Sequence, residues 1–228
     1  MPARFRFVAA RQLPLTILFH ATALLTVLLA GAQPAGAQPV GAQPAGADPA
    51  TAPLRFPITR DLWVSAVGGE ANGNNGGAPR LKLKSIQEMS LLDFDAVALR
   101  GKLIDRASLH LRLAGEERLW RVTVGTVSAE WVEGTGSGYQ PQAGSSTFAR
   151  RQHPQLPWSQ AGGTTRAPNY SDLTSVTLGG GNSLWRMADA FPPDAKGWQS
   201  VAVDPDVIAS RIAGLSHGLI AFDDTGSE

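Results

Sequence analysis

No cysteine occurs anywhere in the 228 residues. That excludes disulfides, thiolate metal centres and a lipid-modified cysteine near the N-terminus, so an exported domain of this sequence must rely on its packed core. Charge is sparse as well: only 17% of the residues are charged, and 20 Lys and Arg face 19 Asp and Glu. Such a balance gives no electrostatic reason to expect nucleic acid or an anionic membrane as a partner. Nothing after residue 30 is apolar for long enough to span a bilayer. The histidines His110, His153 and His217 are scattered without metal-ligand spacing, so no zinc site is expected. Tyrosine is scarce, and both copies, Tyr139 and Tyr170, fall in one polar stretch.

The N-terminus is richer in signal. Arg4, Arg6 and Arg11 precede an apolar run from Leu13 to Ala30, broken only by Pro14, Thr16, His20, Thr22 and Thr26. Small-residue sites follow at Ala30-Gly31-Ala32 and Ala35-Gly36-Ala37. This is the grammar of a cleaved secretory leader, and residues 1–37 are read as a signal peptide. An uncleaved anchor is the alternative, because the run approaches the roughly 18 to 20 residues of a spanning helix. The expected location is secreted, periplasmic or at the cell surface, with membrane contact only through the leader during export. Removing the leader's three arginines leaves 17 basic against 19 acidic side chains. An imperfect Gly-Ala-Gln-Pro repeat then runs to Pro53, so residues 38–53 read as an extended, flexible linker. Residues 54–228 are enough for one domain with a full core.

Within that domain the period-two pattern dominates. Leu109, Leu111 and Leu113 alternate with Ser108, His110 and Arg112, the mark of a half-buried strand. Similar runs lie at Leu62 to Val67, Leu81 to Ser85, Met89 to Phe94, Leu119 to Val127, Thr174 to Leu178, Trp198 to Val203 and Leu219 to Phe222. The apolar parity changes at Gly125-Thr126, which predicts a bulge or bend there. Short strands joined by Gly- and Asn-rich turns predict an all-β, antiparallel jelly-roll β-sandwich. One short helix is expected near the C-terminus, capped by Asp204, opened by Pro205 and ended by Gly214.

Catalytic patterns fail on context. Gly214-Leu215-Ser216-His217-Gly218 matches the hydrolase nucleophile pattern, but a helix enters and a strand leaves, the reverse of the required order. Glu130 and Glu133 flank Trp131 as a glycosidase pair would. Residues three apart on a strand point to opposite faces, however, so the expectation is a core tryptophan with glutamates that accept turn amides or face solvent. The Gly179-Gly180-Gly181 run has neither the Lys-Ser/Thr nor the strand-to-helix setting of a phosphate loop. Asp61, Asp223 and Asp224, with the Glu70 to Gly77 tract nearby, supply the hard oxygen ligands of a structural calcium. No enzyme is expected.

From Trp131 to Leu173 the chain has hardly an apolar run, yet it holds Trp131, Tyr139, Phe148, Trp158 and Tyr170. Connections this long are usually functional or disordered, and disordered tracts are poor in aromatics, so an ordered loop is expected. Tyr139, Trp158 and Tyr170 are the candidate stacking faces for a saccharide, with Arg151 as the candidate contact to an acidic sugar. Core packing of the same rings is the competing expectation.

The order of motifs is more telling than any one of them. Asp61-Leu62-Trp63-Val64-Ser65, an Asn/Gly tract, Leu81-Lys82-Leu83, Leu91-Leu92-Asp93-Phe94-Asp95 and Ala107-Ser108-Leu109-His110-Leu111 follow one another. Together with Trp131-Val132-Glu133 and Val201-Ala202-Val203-Asp204 before the helix, this resembles the DNRLRE-type domain over roughly Arg60 to Asp224. Asp93 departs from that pattern where a basic residue commonly precedes the Phe-Asp pair, and Ser216-His217-Gly218 replaces an Asn-Tyr-Gly-like turn. The resemblance implies a jelly-roll module of exported bacterial proteins, related in fold to carbohydrate-binding modules, with a polysaccharide or cell-surface glycan as partner. It implies binding or a structural role rather than catalysis. The family's chains normally continue past Phe222-Asp223-Asp224, so an accessory domain or truncated fragment of a larger polysaccharide-active enzyme is the alternative.

Overall fold

The computed structural model describes residues 23–29, 53–158, 173–177 and 183–224. The chain forms two antiparallel sheets and one short helix, an all-β sandwich. The first sheet contains β1 (Ala23–Leu29), the N-terminal half of β2 (Leu54–Ser65), β4 (Ile104–Arg112) and β7 (Trp198–Val203). The second contains β3 (Glu88–Phe94), β5 (Arg121–Thr126), β6 (Trp185–Asp189), β8 (Leu219–Asp223) and the C-terminal half of β2. Strand order runs β6-β5-β8-β3-β2-β1-β4-β7, so β2 links the two layers. A register shift between Ile58 and Arg60 marks where it changes partner.

Each sheet's pattern follows from what covers it. In β4, Ala107, Leu109 and Leu111 are buried while Ser108, His110 and Arg112 are not, because only one face meets the core. In β3 and β8 nearly every residue is buried. Leu92, Phe94, Leu219 and Ala221 face the space between the sheets. Met89, Leu91, Ile220 and Phe222 face outward into a second core capped by Trp131, Trp158, Leu173 and Val176. Strands β3 and β8 are thus covered on both faces, the outer one by loop residues.

The helix α1 (Pro205–Ile212) forms as expected: the Asp206 N–H donates to the Asp204 carboxylate at 3.0 Å, and Gly214 turns the chain at φ 75°. Its Val207 and Ile208 close one end of the inter-sheet core. Among the described residues no helix is long and apolar enough to cross a membrane.

Four elements differ from the sequence reading. Ala23–Leu29, inside the apolar run read as leader, forms a strand between β2 and β4. Leu81 to Ser85 does alternate, but it forms no ladder: Lys84 makes only isolated bridges, and Ser85 turns at φ 48°. Leu173–Val176 is a 3-10 turn rather than a strand. The strand β6 escapes the period-two pattern because it is an edge strand with mostly exposed side chains. The expected bend after Gly125 is real, since β5 stops at Thr126 and the chain continues irregularly to Trp131.

Candidate functional site

The loop after β5 is ordered by polar groups rather than by a ladder. Asn74, fully buried, donates to the carbonyls of Glu133 at 2.7 Å and Ser146 at 2.8 Å, and its oxygen accepts the Gly136 N–H at 2.9 Å. Val132 N–H donates to the Ser146 hydroxyl, which donates onward to the Arg151 carbonyl at 2.6 Å. A Cβ at Gly76 or Gly77 would overlap the carbonyl oxygens of Glu133 and Thr135, so glycine is required for this backbone approach. The Asn/Gly tract therefore clamps the long loop onto the sheet.

Where the clamped loop meets the middle of β2 and the turn before β8 lies a pocket of about 440 Å³, lined by Arg60, Glu130, Trp131, Val132, Arg151, Gln152, Leu156 and His217. Its floor is Arg60, whose guanidinium stacks 3.9 Å from the Trp131 ring centre and donates to the Trp131 carbonyl at 2.7 Å and the His217 carbonyl at 3.2 Å. Arg60 also pairs with Asp93 at 2.8 Å. The Asp93 carboxylate, with its side chain 9% exposed, receives Arg211 as well, at 2.7 Å from Nε. One buried carboxylate between two guanidiniums is what the departure at Asp93 provides. It fixes Arg60 in place and ties α1 to β3.

Arg151 forms part of the pocket lining, and among the described residues its guanidinium has no ion-pair partner. Burial, opposed by the Glu130 carboxylate and helped by the positive charges of Arg211 and Arg60, lowers the His217 pKa below the usual imidazole value. Ser216 is buried; its hydroxyl donates to the Gly218 carbonyl at 2.6 Å and holds the helix-to-strand turn. Trp131 packs in the outer core, as expected, while Glu133 accepts the Asp61 N–H, a strand amide of β2 rather than a turn amide, at 2.9 Å. Glu130 alone of the two glutamates reaches the pocket.

The remaining candidates do not gather at one place. Trp158 is 2% exposed and lies in the outer core, its indole N–H donating to the Thr147 carbonyl at 2.9 Å, so its ring offers no face to solvent. Tyr139, at φ 63°, packs edge-on against Trp63 with ring centres 5.2 Å apart. Its hydroxyl accepts from Lys82 at 2.8 Å and donates to Glu88 at 3.2 Å. Tyr170 lies outside the described residues. Of the three described candidates, Arg151 alone lines the pocket.

The calcium set is separated too. Asp61 is level with Leu92 and hence with Leu219, four residues from Asp223 along β8 and two strands away. At about 3.3 Å per residue that is roughly 13 Å along the strand alone. Asp224 instead accepts from the Thr123 hydroxyl at 3.2 Å. No group of three metal-ligating side chains occurs among the described residues. Asp61 has its pKa raised to about 6, chiefly by burial and then by the neighbouring Glu133 carboxylate.

Sequence reasoning missed Arg60, Glu130 and His217 as pocket residues, because their convergence depends on how β2, the loop and the helix-to-strand turn meet. It also passed over exposed aromatics near the free edge of the second sheet. Trp185 is 52% exposed, and Trp120, 56% exposed, carries the Arg118 guanidinium 3.5 Å from its ring centre. No family model, curated protein or solved structure matches this chain.

Proposed function

We propose that this chain is an exported, non-catalytic jelly-roll module of the DNRLRE type that binds a saccharide in the pocket between the clamped loop, the middle of β2 and the turn before β8. The observation that carries this reading is the pairing of a fixed arginine with an unpaired one: Arg60 is held by Asp93 and Trp131, while Arg151 has no counter-charge among the described residues. A planar guanidinium suits a sugar carboxylate or sulfate, and the polar rim of Glu130, Gln152 and His217 suits hydroxyl groups. An acidic polysaccharide of the cell surface or surroundings is the preferred ligand.

The test is affinity electrophoresis against one acidic and one neutral polysaccharide, with Arg151→Ala beside the unaltered protein. Retardation by the acidic polymer alone, weakened about tenfold or more in Arg151→Ala at an unchanged melting temperature, supports the reading. Equal mobility of both proteins in both gels counts against it.

A purely structural module is the second reading, favoured by the burial of Trp158 and by the hydrogen bonds that commit the loop's polar groups internally. It predicts no retardation in either gel. Trp185→Ala is the informative extra variant, because an exposed indole can stack on a sugar ring without entering the pocket.

A further inference from the structure

The segment Ala23–Leu29 occupies the middle of the first sheet. It is antiparallel to both neighbours, with Leu24 to Val27 in register with Pro57 to Leu54, and Ala23 to Leu29 in register with Leu111 to Ile104. Leu25 is fully buried in the inter-sheet core. Yet both small-residue cleavage sites, Ala30-Gly31-Ala32 and Ala35-Gly36-Ala37, lie after this segment, so processing at either would excise the strand.

The register also shows a mismatch between strand and position. On β4 the inward residues Ala107, Leu109 and Leu111 are buried, while Arg106, Ser108 and His110 are not. At register positions opposite His110 and Arg106 the segment carries Leu24 and Leu28. A strand matched to this sheet would carry polar residues there, since one-sided burial demands alternation. The slot therefore has a clear specification: about seven extended residues, apolar at every second position, and without a central proline because both edges are hydrogen-bonded.

We propose that the slot between β2 and β4 is a strand-acceptor site, which in the processed protein takes an extended, alternating apolar strand from a partner polypeptide. This rests on the reading of the chain as exported, but not on saccharide binding. Without β1, β4 keeps β7 on one side and exposes its other edge from Ile104 to Leu111, while β2 exposes Leu54 to Pro57. Two facing open edges above an apolar floor are the geometry of strand addition, in which backbone hydrogen bonds give affinity and alternate side-chain pockets give specificity.

The experiment exports the full chain into a bacterial periplasm and determines its intact mass. Amide hydrogen exchange is then followed in β2 and β4, with and without a synthetic 23–29 peptide carrying Leu24→Thr and Leu28→Thr. The expected result is a chain beginning after Ala30, with exchange at Ile104 to Leu111 slowed tenfold or more by this peptide and unaffected by its Leu25→Pro version. If the processed chain is unfolded, recovery of its fold on adding the peptide supports the proposal equally. A chain that keeps Ala23–Leu29 overturns it, because the slot is then never open. So does a processed chain, folded or not, that the peptide neither protects nor refolds. Arg151→Ala leaves these outcomes unchanged, so failure here and failure of saccharide binding remain separate results.

Discussion

The outer faces of the two sheets are built from the same kind of backbone and meet different surroundings. On the first sheet the outward residues Ser108, His110, Arg112, Ser200 and Ala202 are exposed or half-buried. On the second, Met89 and Leu91 are fully buried beneath Trp131, Trp158 and Leu173. The difference is a cover made of loop rather than of regular structure. A segment with few apolar residues can act as a packing layer when two conditions hold: its polar groups are satisfied internally, as Asn74 and Ser146 arrange, and some of its large rings, here Trp131 and Trp158, turn onto the sheet. Trp131 and Trp158 are thus first a lid on a sheet, and the pocket lies at the edge of that lid.

Breaking the cover should have the largest effect. Trp158→Ala leaves a cavity beneath the loop and an unpaired Thr147 carbonyl, and is expected to cost about 3 to 5 kcal/mol, with faster amide exchange from Ser145 to Arg151. A loss below about 1 kcal/mol in urea unfolding would mean that the loop does not pack as a layer.

Asp93→Asn removes the charge between Arg60 and Arg211 at the edge of the same face and is expected to cost about 2 kcal/mol. Because Arg60 floors the pocket, the variant should also weaken acidic-polysaccharide binding more than its stability loss explains. Normal binding by the folded variant would separate Arg60 positioning from Asp93.

Asp61→Asn should act in the opposite direction. The folded-state pKa of about 6 lies above the ordinary 3.8, so between these values the folded state holds more proton than the unfolded chain. The carboxylate therefore reduces stability as pH rises from about 4 to 6, and the loss is complete above that window. The variant is expected to be more stable by about 1 kcal/mol at pH 7.5, after discounting for solvent screening, and indistinguishable at pH 3.5. Equal unfolding midpoints at both pH values would remove the burial argument for Asp61.

His110→Ser on the outer face of the first sheet should change stability by less than about 0.5 kcal/mol, because the side chain is only half-buried there. A loss comparable to that of Trp158→Ala would erase the contrast between the faces.

Where burial is one-sided the sequence is easily read. The alternation in β4 and the cap, proline and glycine of α1 each report a local rule, and the structure follows them. Strands β3 and β8 are legible as apolar runs, but nothing local says that their second face is covered. Leu81 to Ser85 obeys the same alternation and still forms no strand, because no neighbour offers it a ladder. In the pocket, Arg151 is legible as a basic residue in a polar loop. Arg60, Glu130 and His217 are not, since they come from positions 60, 130 and 217 and meet only when the chain is folded.

By itself, the sequence determined the all-β class and the helix with its limits, because hydrophobic period and capping chemistry act over a few residues. Tertiary structure alone decided that Trp158 faces the core, that Asp61 stands apart from Asp223 and Asp224, and that a strand fills the slot between β2 and β4. Each of those outcomes depends on which distant surface a residue meets, and burial, pairing and charge are properties of that meeting rather than of the residue.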